Sequence, residues 1–366
     1  MNKKTIFVIS IFIFSLMVST GCFDLFSDDG SITYEAHPTK VGYTLTYGYW
    51  VNCTDNGKYD INYDCDIPEA LNGQVSSIIV HNSNYKDVTI ASFNTMKRWN
   101  ISDNIDFDYK LGLTANVISE SFMVSDLNGA NALTIQEISD NYPHLVSQYC
   151  QAQSNETTVI INPDNTAIQT VAIETYNDAD TDNAFLVAKE LFKWLKEHTS
   201  YQTHTGENNV QKSTVTMQCK TGDCDDLSFL YISLCRSVNI PARFIRGFLV
   251  EKNNGIIEVT PHAWAEVFVG GNIGQNGWIP VECAGTANKV ITEIHQNFGL
   301  ETANHIRLFK DDGSNESLIA SLTSLSYIRY NHNRNIETEY FTDVYNFVNL
   351  QSKELFVDKN DIRKYQ

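Results

Sequence analysis

The sequence predicts an α+β protein. Its core is a cysteine-bearing helix packed on an antiparallel sheet, preceded by a β-sandwich-like domain and followed by a β-rich extension. Three observations carry this reading. Leu227, Leu230, Leu234 and Val238 recur at steps of three or four, the spacing of one helical face, and the β-branched and aromatic run Arg243 to Val250 follows as a strand. Between residues 41 and about 125, short runs alternate apolar and polar residues and are split by Asn, Asp and Gly turns. The tail from Gly285 onward alternates in places, as at Leu318 to Tyr330.

Composition fits this class. Of 366 residues, 42% are hydrophobic and 11% aromatic, enough to bury the cores of two or more domains and too apolar for a disordered chain. The formal net charge of -18 repels phosphate backbones, so nucleic-acid binding is not expected.

At the N-terminus, Lys3 and Lys4 precede the apolar run Ile6 to Val18, then Ser19, Thr20, Gly21 and Cys22. That is the layout of a secretory signal peptide or a short membrane anchor over residues 1–21. Its end resembles a lipoprotein lipobox, with Cys22 as the lipidated residue and Ser19 where Leu is usual. Either reading puts the rest of the chain outside the cytoplasm, tethered to a membrane through its N-terminus. Residues 22–40, polar and Ser/Asp-containing, read as a tether.

Residues 41–125 read as the β-sandwich-like domain, opening with Tyr43, Leu45, Tyr47 and Tyr49 in alternation. Residues 126–162 form a connector, helical from Ile135 to Tyr149 with a break at Pro143. Val159 to Pro163 reads as a strand. In the core, residues 163–285, Asn183 to His198 is a helix with Phe185, Ala188, Phe192 and Leu195 on one face. A polar loop, Ser200 to Lys220, leads to the cysteine helix. Strands then follow over Ile256 to Val269 and around Gly277 to Glu282, with turns at Asn253-Asn254-Gly255 and Gly270-Gly271-Asn272. Residues 286–366 form the β-rich C-terminal extension.

Eight cysteines are present. With Cys22 lipidated and Cys224 free, six remain, an even number compatible with disulfides in an oxidising compartment. Cys53 and Cys65, flanking Asp55-Asn56-Gly57, are the candidate pair. Sequons at Asn52, Asn100, Asn155 and Asn315 suit a secreted surface.

Chemistry concentrates in the core. Gly222 and Asp223 break and cap the helix, so Cys224 falls in its first turn, where unpaired backbone N–H groups favour a thiolate and can receive an oxyanion. His262 follows in a strand, and Glu282 ends the next strand, which would run beside it. Thiol, imidazole and carboxylate are the parts of a thiol nucleophile with its base and orienting acid.

These blocks match a family. Gly222-Asp223-Cys224-Asp225-Asp226, Leu234 through Arg243 with Gly247-Phe248, His262-Ala263-Trp264-Ala265-Glu266-Val267 and Gly277-Trp278-Ile279-Pro280-Val281-Glu282 resemble the transglutaminase-like superfamily, which has a papain-like α+β core. The resemblance implies Cys224 as nucleophile, His262 as general base and Glu282 as orienting acid, where the family usually has Asp. Asp226 matches a frequent acidic position and reads as a helix-cap or packing partner. Trp264 and Trp278 read as core, Arg243 and Arg246 as structural ion-pair partners, and Cys235 as a buried small hydrophobe.

Two rival readings use the same residues. Cys219, Cys224, Cys235 and Cys283 with His262 could hold zinc, although the paired C-x-x-C spacing is missing. A Cys219–Cys224 disulfide would silence the nucleophile. The expectation is a membrane-tethered, extracytoplasmic cysteine peptidase, isopeptidase or acyltransferase acting on a protein or peptide, cell-envelope peptide included. It needs no cofactor and no metal. The alternative is a binding or envelope-assembly module that keeps the fold with little activity.

Overall fold

The structure, a computed structural model, describes residues 25–26, 30–54, 57–90, 92, 94–155, 157–203, 210–323, 329–330 and 335–366. Residues 1–21 and Cys22, the expected signal or anchor and lipidation site, lie outside them. Among the described residues, no helix is long and apolar enough to cross a membrane.

From the N-terminus come β1 (Ile32–Thr54), β2 (Tyr59–Asp66), β3 (Gly73–His81), β4 (Tyr85–Ile90), β5 (Asn94–Asp103) and β6 (Phe107–Glu120). Helices α1 (Ile135–Asn141), α2 (Pro143–Tyr149), α3 (Thr166–Asp178), α4 (Ala184–His198), α5 (Ser213–Cys219) and α6 (Cys224–Ser237) follow. The chain continues through β7 (Ala242–Asn253), β8 (Ile256–Phe268), β9 (Trp278–Val281), α7 (Val290–Asn297), β10 (His305–Lys310), α8 (Asn315–Thr323) and β11 (Asn335–Val357). Shorter strands are named by their residues.

The N-terminal strands form two sheets. One runs 363–365, β11, β1, β6, β3, with 25–26 also pairing with β1; the other runs 329–330, β2, β5, β4. Val41, Tyr43, Leu45, Tyr47, Tyr49 and Val51 of β1 are all buried, as the alternation predicts.

Two boundaries move. The strand begins at Ile32 rather than after a tether ending at 40, because Tyr34 is buried and its hydroxyl meets His295 Nδ1 at 2.7 Å. The C-terminal extension is not separate either. β11 pairs along β1 from Asn335 opposite Thr54 to Val357 opposite Ile32, covering an edge that β1 would otherwise expose.

The Cys53–Cys65 disulfide is not formed, and both cysteines are buried. Cys53 sits one residue from the end of β1, whereas Cys65 lies six residues along β2. At ~3.3 Å per residue the second thiol is carried roughly 20 Å from the turn.

The core sheet runs β9-β8-β7-β10, antiparallel throughout. The β7–β8 hairpin closes through Asn254 and Gly255 with φ of 52° and 86°, the pair of positive values a type I′ turn requires. One face of the sheet packs on α6, which is buried from Asp226 through Arg236, and α6 packs in turn on α4, whose Phe185, Ala188, Phe192 and Leu195 are fully buried. Leu227, Leu230 and Leu234 each contribute about 1.5–3 kcal/mol by leaving water. Phe248, Val250, Ile306 and Leu308 enter a second core shared with β1 and β6, where Tyr47 meets the Phe248 ring edge-on at 5.6 Å. Helices, core sheet and N-terminal sheets thus stack as layers.

Three local readings change. The 200–220 loop contains α5, and its N-terminal residue Ser213 is fully buried. The start of the alternating run Leu318 to Tyr330 is instead helical, as residues 318–323 belong to α8 around the fully buried Leu318. α3 escaped the pattern because only Ile168 and Ala172 of its residues are buried, too narrow a stripe to read.

Candidate active site

Cys224 is the first residue of α6. The preceding Asp223 is extended, and its backbone N–H donates to Asp226 Oδ2 at 3.1 Å, while Asp226 Oδ1 accepts from Gln211 N at 2.7 Å. Asp226 is therefore the cap residue the resemblance suggested, spent on the backbone and fully buried. This brace fixes where the helix starts, and with it the thiol.

His262 lies on β8 opposite Gly247 of β7. Glu282 follows β9, which pairs with β8 only over Ala265 to Phe268, so β9 ends short of the histidine and delivers the next side chain to it. His262 Nε2 donates to Glu282 Oε2 at 2.6 Å, and Ala284 N donates to Glu282 Oε1 at 2.7 Å. The Cys224 sulfur receives the backbone N–H of Ala263, the residue after His262, and lies within the field of Glu282. Thus His262 and Glu282 are directly joined, and Cys224 is held against the strand that carries the histidine.

Electrostatics correct one expectation. Burial pushes the Cys224 thiol well up, and Asp225, Asp223 and Glu282 push it further; the Ala263 N–H opposes them and loses. The helix start does not leave a resting thiolate. Asp225 is itself pushed well up, by burial first and then by its hydrogen bond with Asp223 and the charges of Asp223 and Asp226. Burial also opposes charge on Glu282, but His262 and His305 outweigh it and hold the carboxyl well below the usual range. An ionised carboxylate faces the histidine, as an orienting acid must.

His305 was not anticipated. At the start of β10, its Nε2 meets Glu282 Oε2 at 3.1 Å, and the hydroxyl of Thr302 meets its Nδ1 at 2.9 Å. The only signal in the sequence was a histidine two residues before Arg307 in a strand-like run. Tyr201 also enters the site: it pairs with Gly222, and its hydroxyl is pushed up by burial and then by Cys224, Asp223, Glu282 and Asp225.

Beneath the site, Trp264 stacks on His262 at 5.9 Å and meets His305 edge-on at 4.8 Å. Its indole N–H donates to Glu301 at 2.9 Å, and Glu301 and Glu266 are bridged by Arg307. Arg243 pairs with Glu266, and Arg246 with Asp66, so both arginines are structural as read. Trp278 is buried under the Arg243 guanidinium at 3.9 Å.

Cys219 and Cys224 are separate free thiols, and Cys235 and Cys283 are fully buried. The groups that could ligate a cation are different ones: His262, Glu282 and His305, and Asp223, Cys224 and Asp225, each with ligand atoms within 4.8 Å of one another. In the first group both Nε2 atoms are already engaged with Glu282.

Residues 170–283 match the family model of the transglutaminase-like superfamily and form a transglutaminase-like domain. Around it, most of the chain resembles the crystal structure of a provisionally assigned cysteine protease from Cytophaga hutchinsonii. The TM-score is 0.51 at 15% identity, covering 92% of this chain and 100% of that one, a likeness of fold. The periplasmic domain of TgpA from Pseudomonas aeruginosa aligns over 64% of this chain and 86% of its own at 12% identity, with a TM-score of 0.33 that adds nothing to the fold assignment. In sequence, the uncharacterized protein YebA of Bacillus subtilis (strain 168) is 30% identical over 132 residues; the match covers 31% of this chain and 17% of that protein's length.

Proposed function

We propose that this protein is a cysteine-dependent acyl hydrolase or acyltransferase. It would act outside the cytoplasm, from a membrane tether at its N-terminus, as a peptidase or isopeptidase on a protein or cell-envelope peptide. The observation that carries the reading is the 2.6 Å bond from His262 to an ionised Glu282, beside a thiol in the first turn of α6. The transglutaminase-like domain over 170–283 supports it.

In this reading Cys224 gives its proton to His262 as the sulfur attacks the carbonyl carbon of an amide. The oxyanion receives backbone N–H groups at the start of α6. His262 returns the proton to the leaving amine, and the thioester passes its acyl group to water or to an amine. Because the resting group is a thiol, the base must act during attack rather than before it.

The raised thiol favours a second reading, a catalytically weak binding or envelope-assembly module. A mass-spectrometric screen of envelope peptides with wild-type and Cys224→Ala protein separates the two. Cleaved or amine-linked products made by the wild type alone support the enzyme; identical peptide profiles from both proteins reject it.

A further inference from the structure

Glu282 carries its carboxylate on two methylenes, one rotatable bond more than an aspartate has, and that carboxylate must hold His262. We propose that His305 is a positioning residue that, together with the Ala284 N–H, fixes the longer Glu282 carboxylate against His262. The inference rests on reading His262 as the base.

Both oxygens of Glu282 are occupied. Oε1 accepts from Ala284 N at 2.7 Å, and Oε2 accepts from His262 at 2.6 Å and from His305 at 3.1 Å. Three donors from three different segments leave the carboxylate one orientation, which offsets the freedom of the added methylene. His305 is itself held: it is buried, Thr302 bonds its other nitrogen at 2.9 Å, and Trp264 meets its ring at 4.8 Å with the planes at 75°. A ring tied on both nitrogens and packed on a face is built to orient its partner.

Topology explains how the second imidazole reaches the site. β7 separates β8 from β10, and Gly247 is the cross-strand neighbour of His262 on one side and Arg307 on the other. Gly247 lets β10 close up on β7, and the rings of His262 and His305 lie 5.6 Å apart. A Cβ there would lie 1.9 Å from the Ile306 carbonyl oxygen, so any larger residue would force the strands apart.

The test compares His305→Phe, which keeps a ring and loses the donor, with His305→Gln, which keeps an N–H. The readouts are the low-field proton signal of His262 Nε2–H and the rate at which iodoacetamide labels Cys224. In folded His305→Phe the His262 signal should be lost to solvent exchange and labelling should slow about tenfold. His305→Gln should restore both, and adding His305→Phe to Glu282→Ala should slow labelling no further. An intact His262 signal with unchanged labelling in folded His305→Phe overturns the proposal. If His305→Phe does not fold, Glu282→Gln decides it, since the Nε2–H signals of both histidines must move; a His305 signal that stays put overturns the role. Should labelling prove independent of His262, the enzyme reading fails, and the His262 proton signal alone still judges His305.

Discussion

Replacing Arg307 with methionine should destabilise the protein by about 3–5 kcal/mol at neutral pH, the usual cost of removing one partner from a buried ionic cluster. Arg307 donates Nη1 to Glu266 at 2.6 Å, Nη2 to Glu301 at 2.5 Å and Nε to Glu301 at 3.0 Å. Glu266 and Glu301 are only 2% and 4% exposed, so water cannot replace those bonds. After the change Glu266 keeps Arg243, and Glu301 keeps the Trp264 indole. Burial alone would push Glu266 up, but Arg307 and then Arg243 bring it down to about 2. The sign follows: its stabilisation is complete above the unfolded carboxyl pKa and disappears as pH falls through the folded one. The deficit of Arg307→Met should therefore be largest near neutrality and shrink in acid. Urea unfolding at several pH values measures it. A loss below about 1 kcal/mol at neutral pH, or a deficit that grows in acid, would refute this reasoning.

Three further outcomes are expected. Glu282→Asp withdraws the carboxylate from a 2.6 Å bond to His262, and Cys224 labelling should slow about tenfold to a hundredfold; an unchanged rate would mean the carboxylate is not orienting the ring. Burial holds His295 down from 6.5 to about 4, so the folded state keeps it neutral while the unfolded chain takes up a proton. That stability is complete above about pH 6.5 and is lost as pH falls toward 4, and His295→Gln should flatten the unfolding free energy across that window; the same slope in both proteins argues against it. Peptide mapping without reductant should recover Cys53 and Cys65 in peptides not joined to one another, and a disulfide-linked pair of those two peptides would contradict the structure.

Much of the core was legible because its signals are local. The α6 spacing, the apolar face of α4 and the Asn254-Gly255 turn each act within a few residues, and each forms where the pattern places it. The order of cysteine, histidine and glutamate blocks located the parts that the sheet brings together. What was not legible is non-local. β11 finds β1 across most of the chain, and no pattern within either strand names its partner. His305 lacks a motif and gains meaning only when β7 sets β10 two strands from β8. The thiol was misjudged for a related reason: the helix start is visible in sequence, but the burial and the converging carboxylates that outweigh it are not.

The central claim is that Cys224 is a nucleophile made reactive by His262. It is tested most directly by iodoacetamide labelling at neutral pH, with the modified residue located by mass spectrometry, in wild-type protein and in His262→Ala of equal thermal stability. The account predicts labelling at Cys224 that is at least about tenfold slower in His262→Ala, since the base supplies about 10²–10⁴-fold when it acts. Equal rates in the two proteins would contradict it.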